Sequence, residues 1–208
     1  LCEERDSTGG LETERLGERI QGPMIGAVTG MGVHSGLQVE TRLAPDEQPF
    51  LYDHQIDGTP VMPGVMALEA FGELATLAYP GRRVRALEDV QFLAPLKFYR
   101  GEPQTLHLSA RFDVDGEDLL AYCQCATRRK LHGRDQEQVT THFTATVRLA
   151  SEAVEAATEQ VPGAAAAAVL GSEDLYRVYF HGPAYQVLDT AWRDGDRVVG
   201  TMADGLPP

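Results

Sequence analysis

Tyr52-Asp53-His54-Gln55-Ile56-Asp57-Gly58-Thr59-Pro60-Val61-Met62-Pro63-Gly64 runs straight into Val65-Met66-Ala67-Leu68-Glu69-Ala70-Phe71-Gly72-Glu73-Leu74-Ala75. The first half is polar and broken by glycine and proline. In the second half, apolar residues at 65, 68, 71, 74, 75 and 78 keep the 3.6-residue period, which predicts a helix after Pro63. Pro63 and Gly64 stand where a helix start tolerates missing or unpaired N–H groups, and Pro80-Gly81 stops it. Ala67, Ala70, Gly72 and Ala75 keep the helix flank small, which suits close contact with a sheet. The stretch therefore reads as a loop that delivers one histidine to the mouth of one apolar helix.

The flanking segments read mainly as strands. Residues 25–43 alternate loosely and predict a strand, or a bent pair with Gly30, Gly32 and Gly36 at the bends. Downstream, residues 86–92, 106–114, 119–128 and 139–149 carry strand signals, with Asp115-Gly116 as a hairpin. One buried helix followed by antiparallel strands predicts an α+β architecture. Residues 1–22 read as an N-terminal linker with a short helix over 11–20. Residues 23–150 read as the first domain and the Ala- and Glu-rich stretch 151–171 as a second linker. Residues 172–208 then start a further unit, with a short helix capped by Ser172-Glu173-Asp174 and a hairpin around Asp194-Gly195-Asp196.

Composition bounds the function. The chain of 208 residues is 43% hydrophobic and 24% charged, as in soluble globular proteins. A net charge of -13 argues against nucleic acid as the main partner. No apolar run reaches the roughly 18 residues of a membrane span. Cys2, Cys123 and Cys125 are odd in number and lack metal-ligand spacing, which reads as reduced thiols in a cytoplasmic protein. His34, His107, His132 and His142 are scattered, so no metal site is expected. The first residue is Leu rather than Met, so the chain reads as part of a longer polypeptide.

His54 is followed by a glycine four residues on and a proline nine residues on. Gly58 lets the backbone turn tightly or approach a ligand closely. The free N–H groups at the helix start, Gly64 first, form a partial positive site that can polarise a carbonyl. A base beside such a donor can remove a proton α to a thioester; spacing alone favours a plain loop histidine. Asp53 and Asp57 either orient the imidazole or are solvated loop carboxylates.

His54, Gly58 and Pro63 match the HxxxGxxxxP signature of the dehydratase domains of polyketide synthases and related fatty acid synthases, which this chain resembles. About 130 residues later, His181-Gly182-Pro183-Ala184-Tyr185-Gln186 resembles the family's GxxYGPxFQ motif. Among branches, the sequence looks closest to iterative bacterial synthases such as those making enediynes or polyunsaturated chains. The resemblance implies a double hotdog fold, each unit a long helix wrapped by an antiparallel sheet, with the second unit only partly present here. It implies dehydration of a 3-hydroxyacyl chain on acyl carrier protein to a trans-2-enoyl thioester, with His54 as general base. No cofactor is implied beyond the carrier's phosphopantetheine arm. Substrate contacts are expected from Gly58, Pro63, Gly64, His181, Pro183, Tyr185 and Gln186. Acyl carrier protein, other domains of the same synthase and a second copy in a homodimer are the expected partners.

The sequence departs from the family pattern in places. The family's acid is an Asp in a DxxxQ or DxxxH motif, and no Asp here has Gln or His four residues later. The second motif carries Val178, His181 and Tyr185 where the family has glycine, tyrosine and phenylalanine. His181 reads either as a replacement hydrogen-bond donor or as a structural turn histidine. Arg82, Arg83 and Arg85 form a basic cluster that suits an acidic carrier protein or is a set of solvated turn charges; Arg128, Arg129, Lys130 and Arg134 form a second. Two rival functions are a hotdog thioesterase and a non-catalytic hotdog that binds the acyl chain.

Overall fold

The computed structural model describes residues 22–130, 137–151 and 169–205. The expected helix at 11–20, most of the linker at 151–171, Cys2, His132, Arg134 and residues 206–208 lie outside them. The described residues fall into two compact units. The first holds 22–44, 62–96, 102–130 and 137–151; the second holds 45–61, 97–101 and 169–205. The division does not follow chain order: the segment carrying His54 groups with the later residues, and a boundary drawn at 150 separates them.

The first unit is one sheet and one helix. Strands β1 (Ala27–Gly32), β2 (Gly36–Leu43), β5 (Arg83–Phe92), β6 (Gln104–Asp115), β7 (Asp118–Lys130) and β8 (Glu137–Ala150) pair in the order β1-β2-β6-β7-β8-β5, all antiparallel. Residues 25–43 are therefore the bent pair, and Asp115-Gly116 lies at the β6–β7 hairpin, where Gly116 takes φ +62°. Alternation fixes one inner face. Val39, Leu108, Cys125 and Phe143 are partners in successive strands, and Leu37, Ala110, Cys123 and Ala145 form the next inward row. All eight are buried. Burial pushes both thiols up to about 12, so Cys123 and Cys125 are core packing.

Helix α1 (Gly64–Ala78) lies against this face, giving the hotdog arrangement of a long helix held by an antiparallel sheet. Its buried residues are Ala67, Ala70, Phe71, Leu74, Ala75 and Leu77. This corrects the expected stripe, because Val65 is 62% exposed and Leu68 only half-buried. The alanine flank faces inward, since small side chains let the helix axis approach the sheet, while Phe71 and Leu74 supply most of the volume.

The second unit has two small sheets. Strands β3 (Gln55–Ile56) and β4 (Thr59–Pro60) form a hairpin. Strands β9 (Leu170–Gly171), β10 (Leu188–Asp194) and β11 (Arg197–Met202) pair in the order β11-β10-β9, with the expected turn at Asp194-Gly195-Asp196. Helix α2 (Ser172–Val178) is capped by Gly171 without a side-chain bond, so Ser172 does not serve as the expected cap; Glu173 and Asp174 sit in its first turn. No helix among the described residues is long and apolar enough to cross a membrane.

Candidate active site

The site is built on the β3–β4 hairpin of the second unit. Asp57 and Gly58 are its two turn residues and take φ +51° and +73°, the twist that favours Asp-Gly in a two-residue hairpin. Gly58 therefore serves the turn, and nothing lies within 4 Å of a Cβ placed there. Asp57 is exposed in the turn. The hairpin carries the chain back so that His54 and Val61 form the next pair beyond Gln55 and Pro60: the Val61 N–H donates to the His54 carbonyl at 2.9 Å. The four-residue spacing from His54 to Gly58 is the reach needed for that return.

The same pairing orients the imidazole. His54 Nδ1 lies 2.7 Å from the Val61 carbonyl oxygen. A carbonyl only accepts, so Nδ1 carries a proton and, in the neutral ring, Nε2 keeps its lone pair. A backbone carbonyl, rather than Asp53 or Asp57, holds the ring. Proton acceptance at Nε2 is the chemistry this geometry supplies.

Three rings stand edge-on to His54. Its centroid is 5.1 Å from Phe180, 5.5 Å from His181 and 5.9 Å from Tyr185, at interplanar angles of 62°, 61° and 72°. Phe180 stacks on His181 at 4.5 Å. Burial, and then the neighbouring His54, lower the His181 pKa and favour its neutral form. Burial and the Asp53 charge push the Tyr185 phenol up to about 12. The Tyr185 hydroxyl is buried and has no hydrogen-bond partner among the described residues.

The turn that carries these rings is closed internally. Pro183–Tyr185 is a single 3-10 turn, and the Tyr185 N–H donates to the Gly182 carbonyl at 3.0 Å. The Gln186 amide donates to the His181 carbonyl at 3.1 Å, so this expected substrate contact is engaged in shaping the turn; Pro183 is exposed. The turn is tied to the base's own segment through Asp53. The Gly182 N–H donates to the Asp53 carbonyl at 2.7 Å, and the Ala184 N–H donates to Asp53 Oδ2 at 2.9 Å. The His54–Gly58 part of the first motif and the second motif therefore meet inside one unit.

Pro63 and Gly64 belong to the first unit. Pro63 caps α1, and Met66 and Ala67 N–H groups donate to its carbonyl at 3.1 and 3.4 Å. By helix geometry the Gly64 and Val65 N–H groups have no acceptor within the helix. A Cβ on Gly64 would meet the Phe92 ring at 2.4 Å. No group of three or more His, Cys, Asp or Glu with metal-binding geometry occurs among the described residues.

The profile of the polyketide synthase dehydratase domain matches residues 22–119. Polyketide synthase GfsB of Streptomyces halstedii is 31% identical over 190 residues, 86% of this chain. The chain belongs to the polyketide synthase dehydratase family. Polyketide synthase ThaG of Burkholderia thailandensis is 26% identical over 174 residues, 77% of this chain. Each alignment covers only 3% of these relatives, which are large multidomain synthases. Among solved structures, the dehydratase domain from the CurF module of the curacin synthase superposes with a TM-score of 0.67 at 17% identity, over 87% of this chain and 66% of that one. A dehydratase structure from work on the borrelidin and fluvirucin synthases gives 0.63 at 22% identity, over 87% and 62%. At these identities the likeness establishes the dehydratase hotdog fold. The chain spans just under two thirds of the length of those solved chains.

Sequence reasoning named His54, His181 and Tyr185, which this dehydratase-family fold brings together. It missed the Val61 carbonyl, the Phe180 ring and the bonds from Asp53 to the turn at 182–184. The Asp57-Gly58 hairpin signal, extended to its third pair, leads to Val61; nothing local at Asp53 announces a partner in the second motif.

Proposed function

We propose that this dehydratase-family chain removes water from a 3-hydroxyacyl thioester carried on the phosphopantetheine arm of acyl carrier protein, giving a trans-2-enoyl thioester. The observation that carries the reading is the fixed His54 tautomer, with Nδ1–H on the Val61 carbonyl and Nε2 left basic beside an aromatic wall. Nε2 takes the α-proton. The released electron pair forms the Cα–Cβ double bond, and the β-hydroxyl leaves as water after receiving a proton from an acid. The family pattern assigns that acid to an aspartate in a motif that this sequence does not contain. Acid–base chemistry suffices for elimination next to a thioester, so no cofactor is required.

Acyl carrier protein and neighbouring synthase domains are the proposed partners, in the cytoplasm and with a homodimer as the proposed assembly. Arg82 and Arg85 are less suited to carrier docking than their cluster suggests: Arg82 donates to the Glu117 carbonyl at 2.7 Å, and Arg85 pairs with Asp118 at 3.4 Å.

Product analysis tests the function. The full-length protein is offered a 3-hydroxyacyl thioester on carrier protein, and the products are resolved by mass spectrometry. A loss of one water with the thioester intact is the expected result. Release of free acid would assign a thioesterase, and unchanged substrate a binding module.

A further inference from the structure

Asp53 precedes the base in sequence, yet its carboxylate serves the turn at 182–184. One carboxylate oxygen accepts the Ala184 N–H at 2.9 Å, while the Asp53 main-chain carbonyl accepts the Gly182 N–H at 2.7 Å. The fit is close: a Cβ on Gly182 would come within 2.8 Å of the Asp53 Cα and closer still to its carboxylate. A residue without a side chain is thus set directly against an aspartate some 130 positions earlier.

We propose that Asp53 is a positioning residue, which pins the turn carrying His181 and Tyr185 against His54 so that the aromatic wall keeps its place around the base. His54 needs no help from this carboxylate, because the Val61 carbonyl holds Nδ1. Among the described residues, the wall's remaining bonds run within its own turn or just beyond it, as from the Leu188 N–H to the Tyr176 hydroxyl at 2.8 Å. Pro183–Tyr185 is one 3-10 turn, and among its described bonds those to Asp53 join it to the His54 segment. A charge-assisted bond from a backbone N–H to a carboxylate is about twice as strong as a neutral one, which suits a clamp. The groups facing His181 are His54, Tyr179, Phe180 and Tyr185, with the Asp53 charge next to the turn. Moving the turn changes the burial of His181 and its distance from His54, the two causes of its lowered pKa.

The consequence for turnover rests on the proposed dehydration; the clamp itself does not. Asp53→Ala, Asp53→Asn and Gly182→Ala are compared in the full-length protein by histidine NMR titration and by kcat/KM for enoyl formation. Asp53→Ala removes the acceptor, so the His181 titration moves up towards an ordinary imidazole and kcat/KM falls on the order of 10- to 100-fold. Asp53→Asn keeps a side-chain oxygen for the Ala184 N–H and recovers most of both effects. Gly182→Ala forces the same contact from the other side and reproduces Asp53→Ala; if it does not fold, the two Asp53 variants decide. An unmoved His181 titration in Asp53→Ala overturns the proposal, as does an Asp53→Asn variant as impaired as Asp53→Ala. If the wild-type protein forms no enoyl product, the dehydratase reading fails, and the clamp is judged on the titration alone.

Discussion

His54 acquires its chemistry from a backbone carbonyl seven residues away. The 2.7 Å contact with Val61 sets the tautomer, and the hairpin that makes it is written in the sequence as Asp57-Gly58. The position of His54 was therefore legible from spacing, turn chemistry and resemblance together. The role of Asp53 was not, because its partners lie in the second motif and no local pattern encodes them. Tyr185 gives a prediction at this scale. Its buried hydroxyl lacks a partner among the described residues, and leaving such a group unpaired costs about 1–3 kcal/mol. Tyr185→Phe should leave stability in urea melts unchanged or raise it by up to about 1 kcal/mol. A clear loss of stability would mean that the hydroxyl is bonded in the folded state.

His142 gives a second prediction. It is buried in the first unit, with Nδ1 donating to the Ala94 carbonyl at 3.1 Å and Nε2 2.9 Å from the Thr127 hydroxyl. Burial lowers its pKa, and its bonds to the carbonyls of Ala94 and Pro95 oppose that shift without cancelling it. Below about pH 6.5 the unfolded chain binds a proton that the folded chain resists, so His142 makes stability fall as pH drops from there through its folded pKa. The stability difference between wild type and His142→Gln, followed by urea melts from pH 7.5 to 5, should shift against the wild type as the pH falls. A difference constant across that range would contradict the assignment.

Among the elements, α1 was legible, and so were its sheet-facing alanine flank and the buried Phe71, Leu74 and Ala75; the N-terminal end of the stripe was not. The 3.6-residue period located the helix, but counting large apolar residues turned the stripe towards Val65 and Leu68. The sheet instead takes the face with Ala67, Ala70, Phe71, Leu74 and Ala75. A helix pressed onto five strands is limited by how near its backbone can come, and alanine sets that distance better than valine. Phe71 is fully buried on that face, so Phe71→Ala should cost about 3–5 kcal/mol in equilibrium unfolding. Val65→Ala, on the exposed side, should fall within about 0.5 kcal/mol of wild type. Equal costs would return the stripe to the sequence-based phase.

Over the whole molecule, alternation and hairpin signals carried most of the strand pattern and the α+β class. The grouping of residues 45–61 with residues 169–205 was hidden, because contacts between distant segments leave no period in the sequence. The family match covers residues 22–119, while the second motif lies beyond it. The two core thiols report on the cohesion of the first unit. Cys123 and Cys125 are buried on neighbouring inward positions, with pKa values pushed up to about 12. Their alkylation in native buffer at pH 8 should proceed no faster than opening of the sheet, and fast native labelling would contradict a closed core.

As the proposed base, His54 removes the α-proton of a 3-hydroxyacyl thioester. The most direct measurement of this role compares the rate of enoyl thioester formation by the full-length protein and by its His54→Ala variant, with circular dichroism showing both folded. Loss of the base should lower the rate on the order of 100-fold or more. Equal enoyl formation by the two proteins would contradict the account.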